Sequence, residues 1–252
     1  MTPAVLILDF ETTGLSPKEA LPIEIGFILY QNKKIKSLHS FMIDQPTIEE
    51  LPKEIEKLLD ITTDDYKASA IYSEDIILSY LLALESSFEY FIAHNALGFD
   101  ELFFKEMVTR HNADNKYQRL YDKPWLDSMI DIHYQERIQS KRLQYIASEF
   151  GYANPYQHRA LFDCIALAKI LDQYNIEEII ERAKSPMYDV QVQVKPPWDD
   201  SGVSTDYAKS KGFKWNPAKK IWSRKIRESE CSQENFDYPI IILGKVERHA
   251  AK

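Results

Sequence analysis

The chain has 252 residues, 44% hydrophobic and 28% charged, which suffices for one large domain or a medium domain with a small companion. Its two cysteines, Cys164 and Cys231, stand far apart with no CxxC pair, which argues against a disulfide framework or zinc knuckle and fits a reducing compartment. The longest apolar stretches, such as Ile76–Leu84, are too short to span a bilayer, and Asp9 and Glu11 interrupt any signal-like start, so the expected setting is cytoplasmic with no membrane partner.

Val5–Phe10 reads as a buried strand that ends in the turn "TTGLSP" and carries Asp9 and, just beyond, Glu11. "IEIGFILY" (Ile23–Tyr30) and "IKSLHSFMI" (Ile35–Ile43) follow, separated only by "QNKK", and such short connections predict an antiparallel meander. Thr47–Ala70 gives short helical and turn signals. "SEDIILSYLLALE" then has a Ser N-cap, early acids and apolar residues at helical spacing. "FEYFIA" (Phe88–Ala93) is a short strand stopping at His94-Asn95. Helices are expected in "GFDELFFKEMVTRH", in Leu143–Tyr152 and in Arg159–Tyr174, the last with Asp163 in its first turns. Strands first, then alternating helices and strands, imply an α/β fold: a mixed sheet flanked by helices.

"RAKSPMY" (Arg182–Tyr188) breaks that pattern and marks a boundary, giving a domain over 1–183 and a small α+β module over 188–252. In the module, "YDVQVQVK" alternates with period two. "STDYAKSKG" is a short capped helix with Gly212 at its C-cap. Phe213–Ile226 reads as a turn leading into a strand, and "YPIIILG" as another strand. The net charge of −8 divides unevenly across the boundary. From Ser185 onward there are 12 Lys and Arg against 9 Asp and Glu, which leaves 19 basic and 30 acidic residues before it. The acidic balance belongs to the first domain, and the second is the better electrostatic partner for a polyanion.

Asp9 and Glu11 lie two apart on a strand, so both side chains leave the same face. Asp100 ends "HNALGFD" at a strand-to-helix transition; "HRALFDC" places His158 in a loop and Asp163 just inside a helix. Each has a bland reading: a solvated pair, an Asn95 turn or cap, an acid favoured by a helix dipole, an idle histidine. Together they describe four carboxylates converging from three segments. Their mutual repulsion calls for cations, and hard oxygen ligands suit two Mg²⁺ or Mn²⁺ ions. Such a pair, about 3.5–4 Å apart, serves in-line phosphoryl displacement, and His158 is the natural base for the attacking water.

These three stretches resemble the motifs of the DEDDh exonucleases, the DnaQ-like family of ribonuclease-H-like fold, over roughly Val5 to Tyr174. The intervening "LPKEIEKLLDIT" and "WLDSMIDI" fit as well, and "HRALFDC" is especially similar to the DNA-directed exonuclease X branch. The resemblance implies metal ligation by Asp9, Glu11, Asp100 and Asp163 and general-base catalysis by His158. It also implies contact of Thr12, Thr13 and Leu15 with the 3′-terminal nucleotide, and we add His94, Asn95 and Phe99 of the second motif as substrate-binding candidates. Glu24 is expected to make a structural hydrogen bond, Trp125, Phe103 and Phe104 to lie in the core, and Cys164 to serve packing.

Between Lys209 and Arg227 stand eight basic residues and no acid, interleaved with Phe213, Trp215 and Trp222. Bases can stack on such aromatics while lysines neutralise phosphates; alternatively the tryptophans form a small core and the lysines a solvated surface. The expected function is metal-dependent 3′-to-5′ removal of nucleoside 5′-monophosphates, with single-stranded DNA 3′ ends favoured. RNA trimming by the same fold and a non-catalytic nucleic-acid-binding accessory role are the alternatives.

Overall fold

The computed structural model describes residues 2–135, 137–194, 202–228 and 238–246. The chain divides between Ala183 and Lys184 into two compact units. Cys231 and Lys195, the last residue of the expected "YDVQVQVK" strand, lie outside the described residues.

In the first unit, β1 (Val5–Thr12), β2 (Pro22–Gln31) and β3 (Lys34–Met42) form the meander. The short helices α1 (Lys53–Leu59) and α2 (Thr63–Ser69) follow, then α3 (Glu74–Leu84), capped by Ser73. Next come β4 (Tyr90–Ala93), α4 (Asp100–His111), α5 (Gln118–Tyr121), β5 (Trp125–Asp127) and α6 (Ser128–Asp131). The unit closes with α7 (Leu143–Glu149), α8 (Ala160–Leu171) and α9 (Ile176–Lys184). The sheet order among the described residues is β3-β2-β1-β4-β5, with β4 parallel to both β1 and β5. Four elements, α5, β5, α6 and α9, lay outside the sequence expectation. The β5 strand is only three residues long, too short for a period-two signal, and α9 begins right after the Tyr174–Asn175 turn.

Alternation along β1 sorts its residues between two apolar layers. Leu6, Leu8 and Phe10 pack with Phe91, Phe103, Phe104 and Trp125, on the side of α3 and α4. Val5 and Ile7 pack with Ile28, Cys164, Leu167 and Ile170, on the side of α8. Asp9 and Glu11 share the parity of Val5 and Ile7, so the strand turns both toward α8. Among the described residues no helix is long and apolar enough to cross a membrane.

One close approach fixes where α8 begins. Gly26 pairs with Asp9 across the sheet, and the start of α8 lies directly on it. A Cβ at Gly26 would stand 2.3 Å from Leu161 N and 2.5 Å from Ala160 C. The Cys164 thiol donates to Gly26 O at 3.2 Å, so this cysteine is a packing residue facing the same glycine.

The second unit contains β6 (Met187–Val192), α10 (Thr205–Ser210), β7 (Lys214–Asn216), β8 (Ile221–Arg227) and β9 (Ile240–Val246), in an antiparallel sheet of order β7-β8-β6-β9. Its core holds Val190, Val192, Ala208, Phe213, Ile226 and Tyr238, with Trp222 packed against it. Trp215 pairs with Trp222 across the β7–β8 hairpin, ring centroids 6.0 Å apart, yet remains 50% exposed. The two tryptophans that the sequence treats alike therefore differ: one is packed, the other is open.

Gly26→Ala tests the close approach. The added methyl collides with backbone, which cannot swing aside as a side chain would. The substitution is expected to cost about 1–3 kcal/mol or more in urea denaturation; wild-type stability would mean that α8 does not sit this tightly on β2.

Candidate active site

The acids converge at the carboxyl end of β1, beside the end of parallel β4. Asp100 opens α4 and is 1% exposed. Its Oδ1 accepts the backbone N–H of Phe10 at 3.1 Å, which ties α4 to β1 beside Asp9. Asp163, in the first turn of α8, is held through Oδ1 by Gln144 Nε2 at 2.7 Å and Asn154 Nδ2 at 2.6 Å. His158 occupies the loop before α8 with φ +61°, a left-handed conformation that costs a residue with a Cβ. Ligand atoms of Glu11, His158 and Asp163 all lie within 4.8 Å of one another.

Next to His158, the Arg159 Nε donates to Glu24 Oε2 at 2.9 Å. Glu24 is 1% exposed and stands directly opposite Glu11 in the β1–β2 register. Like charges facing across a sheet repel, and Arg159 offsets this pair. Ser40 Oγ donates weakly to the same carboxylate at 3.4 Å. Glu24 thus has the structural hydrogen-bonding role expected of it, and it also anchors the residue that follows His158.

The electrostatics record the crowding. Burial pushes the Asp9 carboxyl well above its ordinary range, and the charges of Asp100, Glu11 and Asp163 push it further. Glu11 is raised to about 8, first by burial and then by Asp163, Glu24 and Asp100, with Arg159 opposing. Burial also raises Asp100, reinforced by Asp127 and opposed by the Phe10 N–H. It raises Asp163 against the hydrogen bond from Gln144. A cluster of hard oxygen donors that raise one another in this way has the chemistry of a divalent-cation site. Asp9, Glu11, Asp100 and Asp163 are the residues that would hold such ions.

All eleven candidate residues line one cavity of about 480 Å³, together with Glu54, Ile55 and Leu58 of α1. Their side chains differ in availability. The Thr12 hydroxyl donates to Gly14 O at 2.5 Å, and Thr13 Oγ1 accepts from Leu21 N at 2.9 Å, so both hydroxyls brace the turn. Leu15 projects at 86% exposure, an apolar side chain held out at the cavity mouth. His94 donates from Nε2 to Lys141 O and accepts at Nδ1 from Ser128 Oγ, both at 2.7 Å. Burial lowers it to about 4, so it is a neutral wall with both ring nitrogens engaged. Asn95 takes φ +70° at the turn into α4, and Phe99 packs at a tilt against Phe103 with centroids 4.8 Å apart.

Several contributors gave no clear signal in the sequence. Asp127, wholly buried, accepts the backbone N–H groups of Asn95 and Leu97 at 3.1 Å each and so shapes the second motif. An acid at the end of the short "WLD" stretch was its trace. Gln144, Asn154 and Arg159 are polar residues on separate segments, and only the fold makes them neighbours of Asp163 and Glu24.

A family model described as Exonuclease (RNase_T) matches residues 6–171, and one described as a domain of unknown function matches 203–241. Curated relatives include the PolC-type DNA polymerase III of Thermotoga petrophila, 27% identical over 167 residues, and that of Ureaplasma parvum, 25% identical over 174. Each match covers 66% of this chain and 11% of the relative, so the chain spans about a tenth of these polymerases. Among solved structures, the zinc-bound form of the E. coli ExoI–single-stranded DNA complex superposes with a TM-score of 0.59 at 16% identity, covering 76% of this chain and 48% of that one. The E. coli exonuclease I complex with a dA16 oligonucleotide gives 0.58 at 15%, with the same coverage. These structural likenesses establish the ribonuclease-H-like exonuclease fold.

The raised carboxyls make a signed prediction. A group whose folded-state pKa is raised keeps its proton longer when folded, so stability is lost as pH climbs from the ordinary carboxylate range toward the folded value. His39 and His94 are lowered and oppose this below the ordinary histidine value of 6.5. Between that pH and about 8, Glu11 is still titrating. The melting temperature of the cation-free protein is therefore expected to fall across this window, to fall less in Glu11→Gln, and to recover on adding Mg²⁺ or Mn²⁺. A flat wild-type profile would mean that burial and mutual repulsion do not raise Glu11.

Proposed function

We propose, from the premise that this chain belongs to the exonuclease family, that its first unit is a metal-dependent 3′-to-5′ exonuclease releasing nucleoside 5′-monophosphates, chiefly from single-stranded DNA. The observation that carries this reading is the convergence of Asp9, Glu11, Asp100, Asp163 and His158 on one cavity, with all four carboxyls raised.

Bound divalent cations, Mg²⁺ or Mn²⁺, would offset the clustered charge and polarise the scissile phosphate. The chain's own residues do the rest. The cavity takes the terminal nucleotide between the Thr12–Leu15 turn, Phe99 and α1. His158 accepts the proton of the attacking water while oxygen adds to phosphorus. The bond from phosphorus to the 3′ oxygen of the upstream nucleotide breaks, and that oxygen leaves and takes up a proton. The Glu24–Arg159 pair and the left-handed backbone at His158 hold the imidazole over the acids. Hydrogen bonds from Phe10, Gln144 and Asn154 hold Asp100 and Asp163 in place without supplying positive charge that would compete with the cations.

The second unit is assigned as an accessory nucleic-acid-binding module. Six lysines, at 209, 211, 214, 219, 220 and 225, are exposed, and Trp215 stands open beside them. Arg227 is instead buried and donates to Ser185 O, and Arg224 covers the Phe213 ring at 5.2 Å. The positive surface is thus made of lysines, suited to phosphates rather than to fixed bidentate readout.

Two experiments follow. A 5′-labelled DNA oligomer with Mn²⁺ is expected to shorten stepwise from its 3′ end with release of 5′-mononucleotides, faster than a matched RNA. EDTA and Asp9→Ala each abolish this, and His158→Ala slows it about 10²–10⁴-fold while metal still binds; activity in EDTA would overturn the mechanism. In the second unit, Trp222→Ala is expected to destabilise its core. Trp215→Ala should fold normally and weaken oligonucleotide binding by about 1–3 kcal/mol. Unchanged affinity would assign Trp215 to another partner.

A further inference from the structure

The five-stranded sheet ends on one long edge, β3. Just past that strand Ile43 donates its N–H to Ile23 O at 2.8 Å. In this register, beyond the bulge at Leu29/Tyr30, odd-numbered residues of β3 bond toward β2 and even-numbered ones point away. Asp44 shows such an outward N–H in use, donating to Tyr72 O at 2.9 Å. The main-chain groups of Leu38 and Ser40 point the same way and meet no strand among the described residues. An open edge of this kind is a template for another strand.

The two faces beside the edge differ in chemistry. His39 and Phe41 lie opposite Phe27 and Ile25, on the α3 side of the sheet. The Tyr80 ring meets both edge-on, at 5.1 and 5.8 Å, and Tyr72 meets Phe41 at 5.1 Å. Tyr72, Ile76 and Tyr80 nevertheless stay exposed, as an apolar stripe beside the strand. Leu38 and Ile35 lie opposite Ile28 and Tyr30, on the α8 side, and both are exposed. There Lys33, Lys34 and Lys169 line a cavity of about 320 Å³ whose one acid is Asp172. Asp172 is already engaged: its carboxylate accepts from Tyr30 and faces Lys169, and its carbonyl accepts from Lys33. Lys34 and the nearby Lys36 pair with no acid among the described residues. In a unit where acids outnumber bases, this is a local excess of positive charge.

We propose that the β3 edge receives an extended acidic segment of a partner protein, which adds to the sheet as a sixth strand. Side chains alternate between the two faces of a strand. The segment therefore sets apolar residues against Tyr72, Ile76 and Tyr80 and acidic ones toward Lys34 and Lys169, while its backbone bonds to Leu38 and Ser40. A second copy of this chain fits less well, because β3 carries no acid and leaves the lysines unneutralised. Lysines on a bare edge also discourage unwanted pairing, but that role does not account for the exposed aromatic stripe beside them. The docking surface is independent of the nuclease reading.

The test titrates the full chain into a fluorescein-labelled peptide of alternating Glu and Val, about eight residues long to match a typical strand, and reads anisotropy. Exchanging its Glu for Lys is expected to weaken binding at least about ten-fold, as is the double variant Lys34→Glu, Lys36→Glu. N-methylating the central amides of the peptide removes strand pairing and is expected to do the same. Leu38→Pro deletes an outward N–H without breaking a β2–β3 bond, and it should also weaken binding while a melting curve confirms the fold. Should that variant not fold, the N-methylated peptide still reports on the backbone pairing. Binding indifferent to the peptide's charge or to N-methylation would overturn the proposal. An affinity weaker than about 1 mM would also overturn it and leave the lysines as edge protection. A dimer in sedimentation that the Lys34→Glu, Lys36→Glu variant or Leu38→Pro dissociates would give the edge to a second copy, which equally overturns it.

Discussion

The site depends on the absence of one side chain. Gly26 lets the first turn of α8 rest on the backbone of β2, directly beside Asp9 in the sheet register. Any Cβ there would push α8 outward, and Asp163 with it. The contact also fixes Arg159, because the residue just before the helix reaches Glu24, two positions before Gly26 on the same face of β2. A glycine, an ion pair and a candidate metal-ligating acid thus form one geometric unit, and the placement of His158 is a consequence of it.

Bringing α8 so close has an electrostatic cost. Five acidic side chains, counting Glu24, are gathered where burial and mutual repulsion oppose ionisation. The fold treats them unequally. Glu24 receives a guanidinium; Asp100 and Asp163 receive neutral N–H donors; Asp9 and Glu11 remain the most strongly exposed to their neighbours' charge. Neutral donors orient a carboxylate without cancelling it, so the cluster keeps its negative potential for cations. Cationic partners would have cancelled the negative potential that favours a cation. The left-handed backbone at His158 and Asn95 adds strain at two of the segments that frame the cavity, where the surrounding structure over-determines the conformation.

The sequence disclosed the parts of this arrangement that obey short-range rules. The apolar run Val5–Phe10 marked a strand, the two-residue spacing put Asp9 and Glu11 on one face, and helical spacing located α4 and α8 with Asp100 and Asp163 near their starts. What it did not disclose are pairings set by tertiary approach. Glu24 and Arg159 are 135 residues apart, and nothing local marks Arg159 as the counter-ion. Gln144 and Asn154 are unremarkable polar residues until Asp163 is placed between them. The β5 strand is too short to alternate, so Asp127 was invisible as the organiser of the Asn95 turn. Trp215 and Trp222 look equivalent in a basic, aromatic stretch, and only the hairpin's position at the sheet edge separates the open ring from the packed one.

His94 joins these levels. As a residue of the second motif it is naturally read as a substrate contact, yet its two ring nitrogens are taken by Ser128 and by the carbonyl of Lys141. A protonated ring could not accept from Ser128, and burial favours the neutral imidazole that makes the bridge. The bridge links the end of β4 to the segment entering α7. It therefore fixes one wall of the cavity and, through α7, the position from which Gln144 reaches Asp163. In this way a histidine with no free hydrogen-bonding capacity can govern both the wall of the cavity and the orientation of a proposed metal ligand.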